Sequence, residues 1–277
     1  MDEAPLHRAR VLLVGCGRMG GALLHGWFDR GLAPANACIV EPAVSTLKWA
    51  VAKGATCVAD RDAVPASFEP DVIVLAVKPQ AMAGVAPGYT DLVRNGAAVL
   101  SIAAGIRIAF LSQIYGGAAV VLRAMPNTPA AIGKGMSVLV ANDAAEARHR
   151  ALAESLLGAV GQVAWIEDEA LMDAVTALSG SGPAYVFLLI EAMAAAGVSV
   201  GLAPELAKQL AQATVSGAAA LAAQSGEPAS VLRANVTSPG GTTAAALEIL
   251  MRDRGGLGEL MRDAVAAAAR RSHELAG

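Results

Sequence analysis

Gly15, Gly17 and Gly20 stand in the order G-x-G-x-x-G within VLLVGCGRMGGALLHGW, directly after an apolar run and at the start of a helical pattern. In that setting each glycine has its own task. The first permits a tight turn, the second lets a pyrophosphate come against the backbone, and the third lets helix pack on strand. The helix N-terminus behind them offers unpaired N–H groups and partial positive charge to phosphates. Glu41 follows the next apolar run, roughly 20 residues on, where a carboxylate can accept hydrogen bonds from the adenosine ribose and repel a 2′-phosphate. A solvated side chain in the turn before Pro42 is the alternative for Glu41. The chemistry suggested is the holding of a dinucleotide.

Two further breaks lie in the second half: Ser179-Gly180-Ser181-Gly182-Pro183 and Ser238-Pro239-Gly240-Gly241-Thr242-Thr243. Each precedes a helical pattern. Capping by a serine or threonine accounts for the first. The second, with two glycines and two adjacent hydroxyls, exceeds what capping needs. Gly240 and Gly241 leave backbone N–H groups open ahead of a helix that Thr242 begins, which suits a small carboxylate. No catalytic triad, paired carboxylates or catalytic lysine stands out. Lys208 is the only lysine after residue 167 and has no neighbour in sequence that would lower its pKa. These residues point to a nicotinamide-dependent reductase of a small anionic substrate, with few protein groups in the chemistry.

Elements of two kinds must position these residues. Strands are expected at 10–14, 37–40, 71–77, 97–102 and 119–122, near-continuous apolar runs of the sort buried on both faces of a parallel sheet. Helices are expected between them, over 19–30 ending at Gly31 and over 44–53 ending at Gly54, with glycine suited to the left-handed position. Two more strands, 136–140 and 162–166, flank a helix over about 143–160. Loops at the strand ends carry Glu41-Pro42, Lys78-Pro79-Gln80, Ala103-Ala104-Gly105 and Met125-Pro126-Asn127-Thr128-Pro129. Several such loops can border one crevice outside the carboxyl ends of the strands, where open α/β sheets bind ligands. After residue 167 only Ala- and Leu-rich helical stretches follow. The expected architecture is α/β, a Rossmann-type doubly wound sheet over 1–167 and an all-helical domain over 168–277.

Composition narrows the function classes. The chain has 277 residues, 55% of them hydrophobic and 16% charged, with a net charge of −3. That balance excludes disorder and gives no basic field for nucleic acid. A mean hydropathy of +0.50 raises the question of a membrane. However, the stretch 184–203 carries Glu191 at its centre, and 209–226 is studded with Gln and Ser, so neither reads as a span. Helices packed against a partner subunit explain the hydropathy better. Cys16, Cys38 and Cys57 show no C-x-x-C pairing, and His7, His25, His149 and His273 lack ligand spacing. No metal is expected. The charged start MDEAPLHRAR has no apolar h-region, so a cytoplasmic protein is expected.

Taken together, VGCGRMG (14–20), LAVKPQ (75–80), SIAAGI (101–106), RAMPNTP (123–129), LSGSGPAY (178–185) and VTSPGGTT (236–243) resemble the pyrroline-5-carboxylate reductase family over nearly the whole chain. The resemblance implies hydride transfer from NADPH or NADH to a cyclic imine, giving L-proline in the last step of proline biosynthesis. It also implies that the helical half is a dimerisation domain and that dimers assemble into larger rings. By motif, Val14, Gly15, Cys16, Gly17, Arg18, Met19, Ala76, Val77, Lys78 and Pro79 would contact the dinucleotide, and Ile102, Ala103 and Ala104 would lie near the nicotinamide. Asn235 matches a family cofactor contact. Ser238, Gly240, Gly241 and Thr242 would hold the substrate carboxylate, the Thr243 hydroxyl would face the ring nitrogen, and Glu169 matches a residue near the substrate amine. Two departures stand out. Where many members carry a Ser or an Asn-Arg that reads the 2′-phosphate, this chain has Glu41-Pro42. The segment 228–239 is one residue longer than the family pattern. A related imine or hydroxyacid reductase, a dinucleotide sensor without turnover, and a membrane-associated scaffold are the competing readings.

Overall fold

Val11, Leu12, Leu13 and Val14 are all buried because alternate side chains enter different cores on the two faces of one sheet. The computed structural model describes residues 5–275. Its sheet has eight strands: β1 (Val11–Val14), β2 (Ala37–Val40), β3 (Thr56–Val58), β4 (Val72–Leu75), β5 (Ala98–Ser101), β6 (Val121–Met125), β7 (Gly135–Ala141) and β8 (Gly161–Trp165). They lie in the order β3-β2-β1-β4-β5-β6-β7-β8. Pairing is parallel from β3 through to β6, antiparallel between β6 and β7, and parallel again between β7 and β8. The chain reverses direction of progress across the sheet between β1 and β4, the switch point where doubly wound sheets bind ligands.

The longer helices of this part are α1 (Arg18–Asp29), α2 (Ile108–Tyr115) and α3 (Ala147–Gly158). One core joins Val11 and Leu13 to Leu23, Leu24 and Trp27 of α1 and to Leu156 and Leu157 of α3. The other joins Leu12 and Val14 to Met82, Tyr89, Leu111 and Tyr115. Helix α1 stops where Gly31 turns left-handed at φ +96°. The segment expected as one helix over 44–53 is a tight turn, Val44–Leu47, followed by a short helix, Lys48–Ala52. The helix expected over 143–160 is confined to Ala147–Gly158, and its N-cap Glu146 exchanges hydrogen bonds with His149 in a capping box.

The chain divides into two compact units. The first runs to Gly180 and includes the stretch from Ala269 onward; the second is Ser181–Ala268. In the second unit lie α4 (Gly182–Ser199), α5 (Pro204–Ser225), α6 (Ala229–Asn235), α7 (Thr242–Leu250) and most of α8 (Leu257–Leu275). No strand occurs there among the described residues. Gly197 lets α4 and α5 approach closely, since a Cβ at that position would sit 3.2 Å from the Cβ of Ala207. Ala207 and Ala211 are the only buried apolar side chains of this unit among the described residues, whereas Phe187, Leu188, Leu221 and Leu260 are each more than half exposed.

Trp27 ties α1 to the rest of the first unit. It is fully buried, and its indole N–H donates to the Leu156 carbonyl at 2.8 Å. Trp27→Ala is expected to destabilise this unit by ~3–5 kcal/mol. The measurement is urea unfolding, where the midpoint should fall with the slope unchanged; an unmoved midpoint would refute the assignment.

Candidate active site

The strand register lines up one residue from each of four loops. Val14 is level with Val40 and with Leu75, and Leu75 with Ser101. The residues that follow, Gly15, Glu41, Ala76 and Ile102, therefore share the carboxyl edge of the sheet. Backbone bonds continue the ladder there: Gly15 N–H donates to Val40 (2.8 Å), Ala76 N–H to Val14 (2.8 Å) and Ile102 N–H to Leu75 (3.1 Å).

The glycine turn is built from steric exclusion at two positions and open space at a third. Gly15 has φ +88°, and a Cβ there would lie 2.9 Å from the Ala76 carbonyl oxygen. A Cβ at Gly20 would collide with the Gly15 carbonyl oxygen. A Cβ at Gly17 would meet nothing within 4 Å. Gly17 is also the N-cap of α1, which has no side-chain cap, so its first amides keep their donors open to a ligand. Open donors and an open approach fit a pyrophosphate, so the residues present suit a nicotinamide dinucleotide.

Glu41 reaches back across this turn. Its Oε2 accepts the Cys16 N–H at 2.8 Å and its Oε1 accepts the Ala43 N–H at 3.0 Å. The carboxylate is thus held against the glycine turn instead of pointing freely into solvent. Burial pushes the Cys16 thiol up to about 12, with the negative charge of Glu41 acting in the same direction. Ile102 and Ala103 are buried while Ala104 is exposed, and Gly105 is left-handed at φ +76°. Lys78 and Arg18 are exposed at their loops.

Beside the 102–107 loop, Arg123 lies in β6 with only 3% of its surface exposed. Its Nη1 donates to Glu169 Oε1 at 2.8 Å, and the same oxygen accepts the Ile108 N–H at 2.9 Å. Asn127 makes a second link. Its amide nitrogen donates to Ser179 O (3.2 Å) and Ser179 Oγ (3.3 Å), and its Oδ1 accepts the Met136 N–H at 2.9 Å. Ser179 sits in a π-helical turn, Thr176–Gly180, and the Met125 methyl packs against Gly180 where a side chain would stand. Neither Arg123 nor Asn127 is singled out by the sequence reading. The signal for Arg123 was available: a cation inside the run AVVLRAM must be paired if that run is a buried strand.

Of the expected substrate residues, Glu169 lies in the first unit, and Ser238, Gly240, Gly241, Thr242 and Thr243 form one turn and helix start in the second. Gly241 N–H donates to Ser238 O at 3.0 Å, and Gly240 is left-handed at φ +67°. Helix α7 begins at Thr242 with Gly241 as an N-cap that supplies no side-chain bond. Ser238, Gly240 and Thr242 are exposed, and Thr243 is half-buried. Asn235 ends α6 and is exposed.

Comparison with known proteins agrees with these two arrangements. Residues 10–105 match the family described as "NADP oxidoreductase coenzyme F420-dependent", and residues 169–275 match "Pyrroline-5-carboxylate reductase dimerisation". The sheet with its glycine turn and the helical region define an NAD(P)H-dependent oxidoreductase that takes NADPH or NADH. The chain is 40% identical to a pyrroline-5-carboxylate reductase of Pseudomonas aeruginosa over 267 residues, covering 96% of this chain and 97% of that one. It is 38% identical to the pea (Pisum sativum) protein of the same name, covering 95% and 94%. A solved pyrroline-5-carboxylate reductase from Coxiella burnetii superposes with a TM-score of 0.90 at 35% identity, over 96% of this chain and 98% of that one. The chain belongs to the pyrroline-5-carboxylate reductase family.

The placement of Glu41 generates a test of cofactor preference. A carboxylate and a 2′-phosphate 4 Å apart repel by ~4 kcal/mol at an effective dielectric of 20. A quarter of that is roughly a fivefold preference. The wild-type protein is expected to use NADH at least as well as NADPH. Glu41→Ser should raise the NADPH-to-NADH ratio of kcat/KM about fivefold or more. Steady-state kinetics with both cofactors decide, and an unmoved ratio refutes the role of Glu41.

Proposed function

We propose that this chain reduces 1-pyrroline-5-carboxylate to L-proline, the last step of proline biosynthesis, with the substrate held in the second unit. The observation that carries this reading is the turn at Ser238, Gly240 and Gly241 ahead of an uncapped α7, a seat for a small carboxylate. The names of the full-length relatives support it. Dinucleotide binding is assigned to residues 1–167, and substrate binding and dimerisation to 168–277.

In this reading Val14, Gly15, Cys16, Gly17, Arg18 and Met19 line the pyrophosphate, joined by Ala76, Val77, Lys78 and Pro79. Ile102, Ala103 and Ala104 border the nicotinamide end, and Asn235 contributes a further cofactor contact. When bound, the dinucleotide supplies the hydride. Ser238, Gly240, Gly241 and Thr242 present hydroxyl and amide donors to the substrate carboxylate. The Thr243 hydroxyl accepts the N–H of the protonated imine and so fixes which face of the ring is presented. A protonated imine is already electrophilic, so orientation is what the protein must add. That accounts for a substrate turn with no strong acid or base within it.

The exposed apolar side chains of the helical unit are assigned to a homodimer interface, consistent with the dimerisation match over 169–275. The segment Glu169–Ser199 is long and apolar enough to cross a membrane by length and composition alone. Burial against a second copy is the reading that the dimerisation match favours. Assembly of dimers into a larger ring and a cytoplasmic location, in keeping with three free cysteines, complete the proposal.

Two measurements test it. Thr243→Ala should lower kcat/KM for the imine while NADH affinity stays within twofold. A hydrogen bond to a charged group contributes about 1.5–3 kcal/mol, equivalent to a tenfold to hundredfold loss. Wild-type turnover by this variant would remove Thr243 from the reaction. In sedimentation at micromolar concentration the protein should run as a dimer or a multiple of one, and a fully active monomer would refute the interface.

A further inference from the structure

A cation buried in a sheet is costly, and replacing such a pair with apolar residues is often neutral or stabilising. Arg123 bears that cost without full compensation. Its side chain is 4% exposed, Nη1 is paired with Glu169, and Nη2 is buried with no hydrogen-bond partner among the described residues. Stability therefore does not explain why an arginine stands in β6. Its one ionic partner suggests a different reason. Glu169 Oε1 lies between the Arg123 guanidinium and the Ile108 N–H, at 2.8 and 2.9 Å. Ile108 is the first residue of α2, whose own N-cap, Arg107, supplies no side-chain bond. A carboxylate from 61 residues away thus caps this helix from outside. The helix start is also the end of the loop that begins at Ile102.

We propose that Arg123 is a positioning residue for hydride transfer: acting through the Glu169 carboxylate, it fixes the Ile108 amide and with it the 102–107 loop beside the nicotinamide. This rests on the reading of Ile102, Ala103 and Ala104 as the nicotinamide end. It gives Glu169 a task in addition to the substrate contact implied by family resemblance. Both protein donors fall on Oε1, which leaves Oε2 for that contact. A carboxylate held on one side by a buried guanidinium has one rotamer and one height, so the loop it caps is set in a single position. Small displacements of a reacting partner cost large factors in rate, up to about a hundredfold for 1 Å.

Three variants test the proposal: Arg123→Leu, Arg123→Lys and the double variant Arg123→Leu/Glu169→Gln. Arg123→Leu should lower kcat about tenfold to a hundredfold with the imine KM within twofold of wild type. Arg123→Lys should recover part of the loss, and the double variant should lose no more than Arg123→Leu, because both residues act along one path. Hydrogen exchange on the cofactor-free protein supplies a readout independent of turnover: amides of residues 102–110 should exchange faster in Arg123→Leu. Unchanged kcat, a loss confined to the imine KM, or a double variant that loses more than Arg123→Leu would each overturn the proposal. So would unchanged exchange, or faster exchange with wild-type kcat. Absence of imine-dependent NADH oxidation in the wild type would overturn the functional reading instead, and the exchange result would still stand.

Discussion

At Gly15 the backbone turns with φ +88° while the Ala76 carbonyl occupies the space a side chain would need, and at Gly20 the Gly15 carbonyl does the same. These two exclusions bring β1, β4 and α1 closer than any other residue would allow. The rest of the sheet edge depends on that approach. Because β1 and β4 end level, the loops that follow them open side by side. Because α1 starts so close to the strand, its uncapped amides face the same opening. The middle glycine, Gly17, is there for the room it leaves and not for packing.

The chemistry divides between two kinds of turn that use the same physics. Both α1 and α7 begin behind glycines, with no side chain spent on capping, so their first amides remain available as anion donors. A third helix, α2, contrasts with them. Its first amide is taken by Glu169. Helix starts proposed to meet ligands are left open, and the one proposed only to hold a loop is closed by a protein carboxylate. Neither open turn contains a strong acid or base, in keeping with a reaction whose electrophile is activated by protonation alone.

Much of this was legible in the sequence because it follows from backbone chemistry. Glycine spacing, apolar runs and the Gly240-Gly241 pair each state a local conformational need, and the structure places each where that need is met. Strand β3 was not legible. It is three half-buried residues, Thr56–Val58, with neither an apolar run nor alternation to mark it. The antiparallel step from β6 to β7 was equally hidden, since strand direction depends on the path of the connection and not on strand composition. Arg123 and Asn127 were read only as members of RAMPNTP, with no role of their own, because their importance lies in partners 46 and 52 residues away. Glu41 is an intermediate case: its place at the end of β2 was readable, but its grip on the Cys16 amide was not.

The thiol of Cys16 sits in the glycine turn proposed to grip the cofactor. Burial first, and the nearby Glu41 carboxylate second, push its pKa up to about 12 and so favour the thiol over the thiolate. The thiolate is the form that attacks peroxides and disulfides, so a sulfur held as the thiol reacts with them more slowly. The burial of the turn and the charge of Glu41 therefore act together to keep this sulfur in its less reactive form. Removing that charge would leave burial, the larger of the two causes, still holding the thiol.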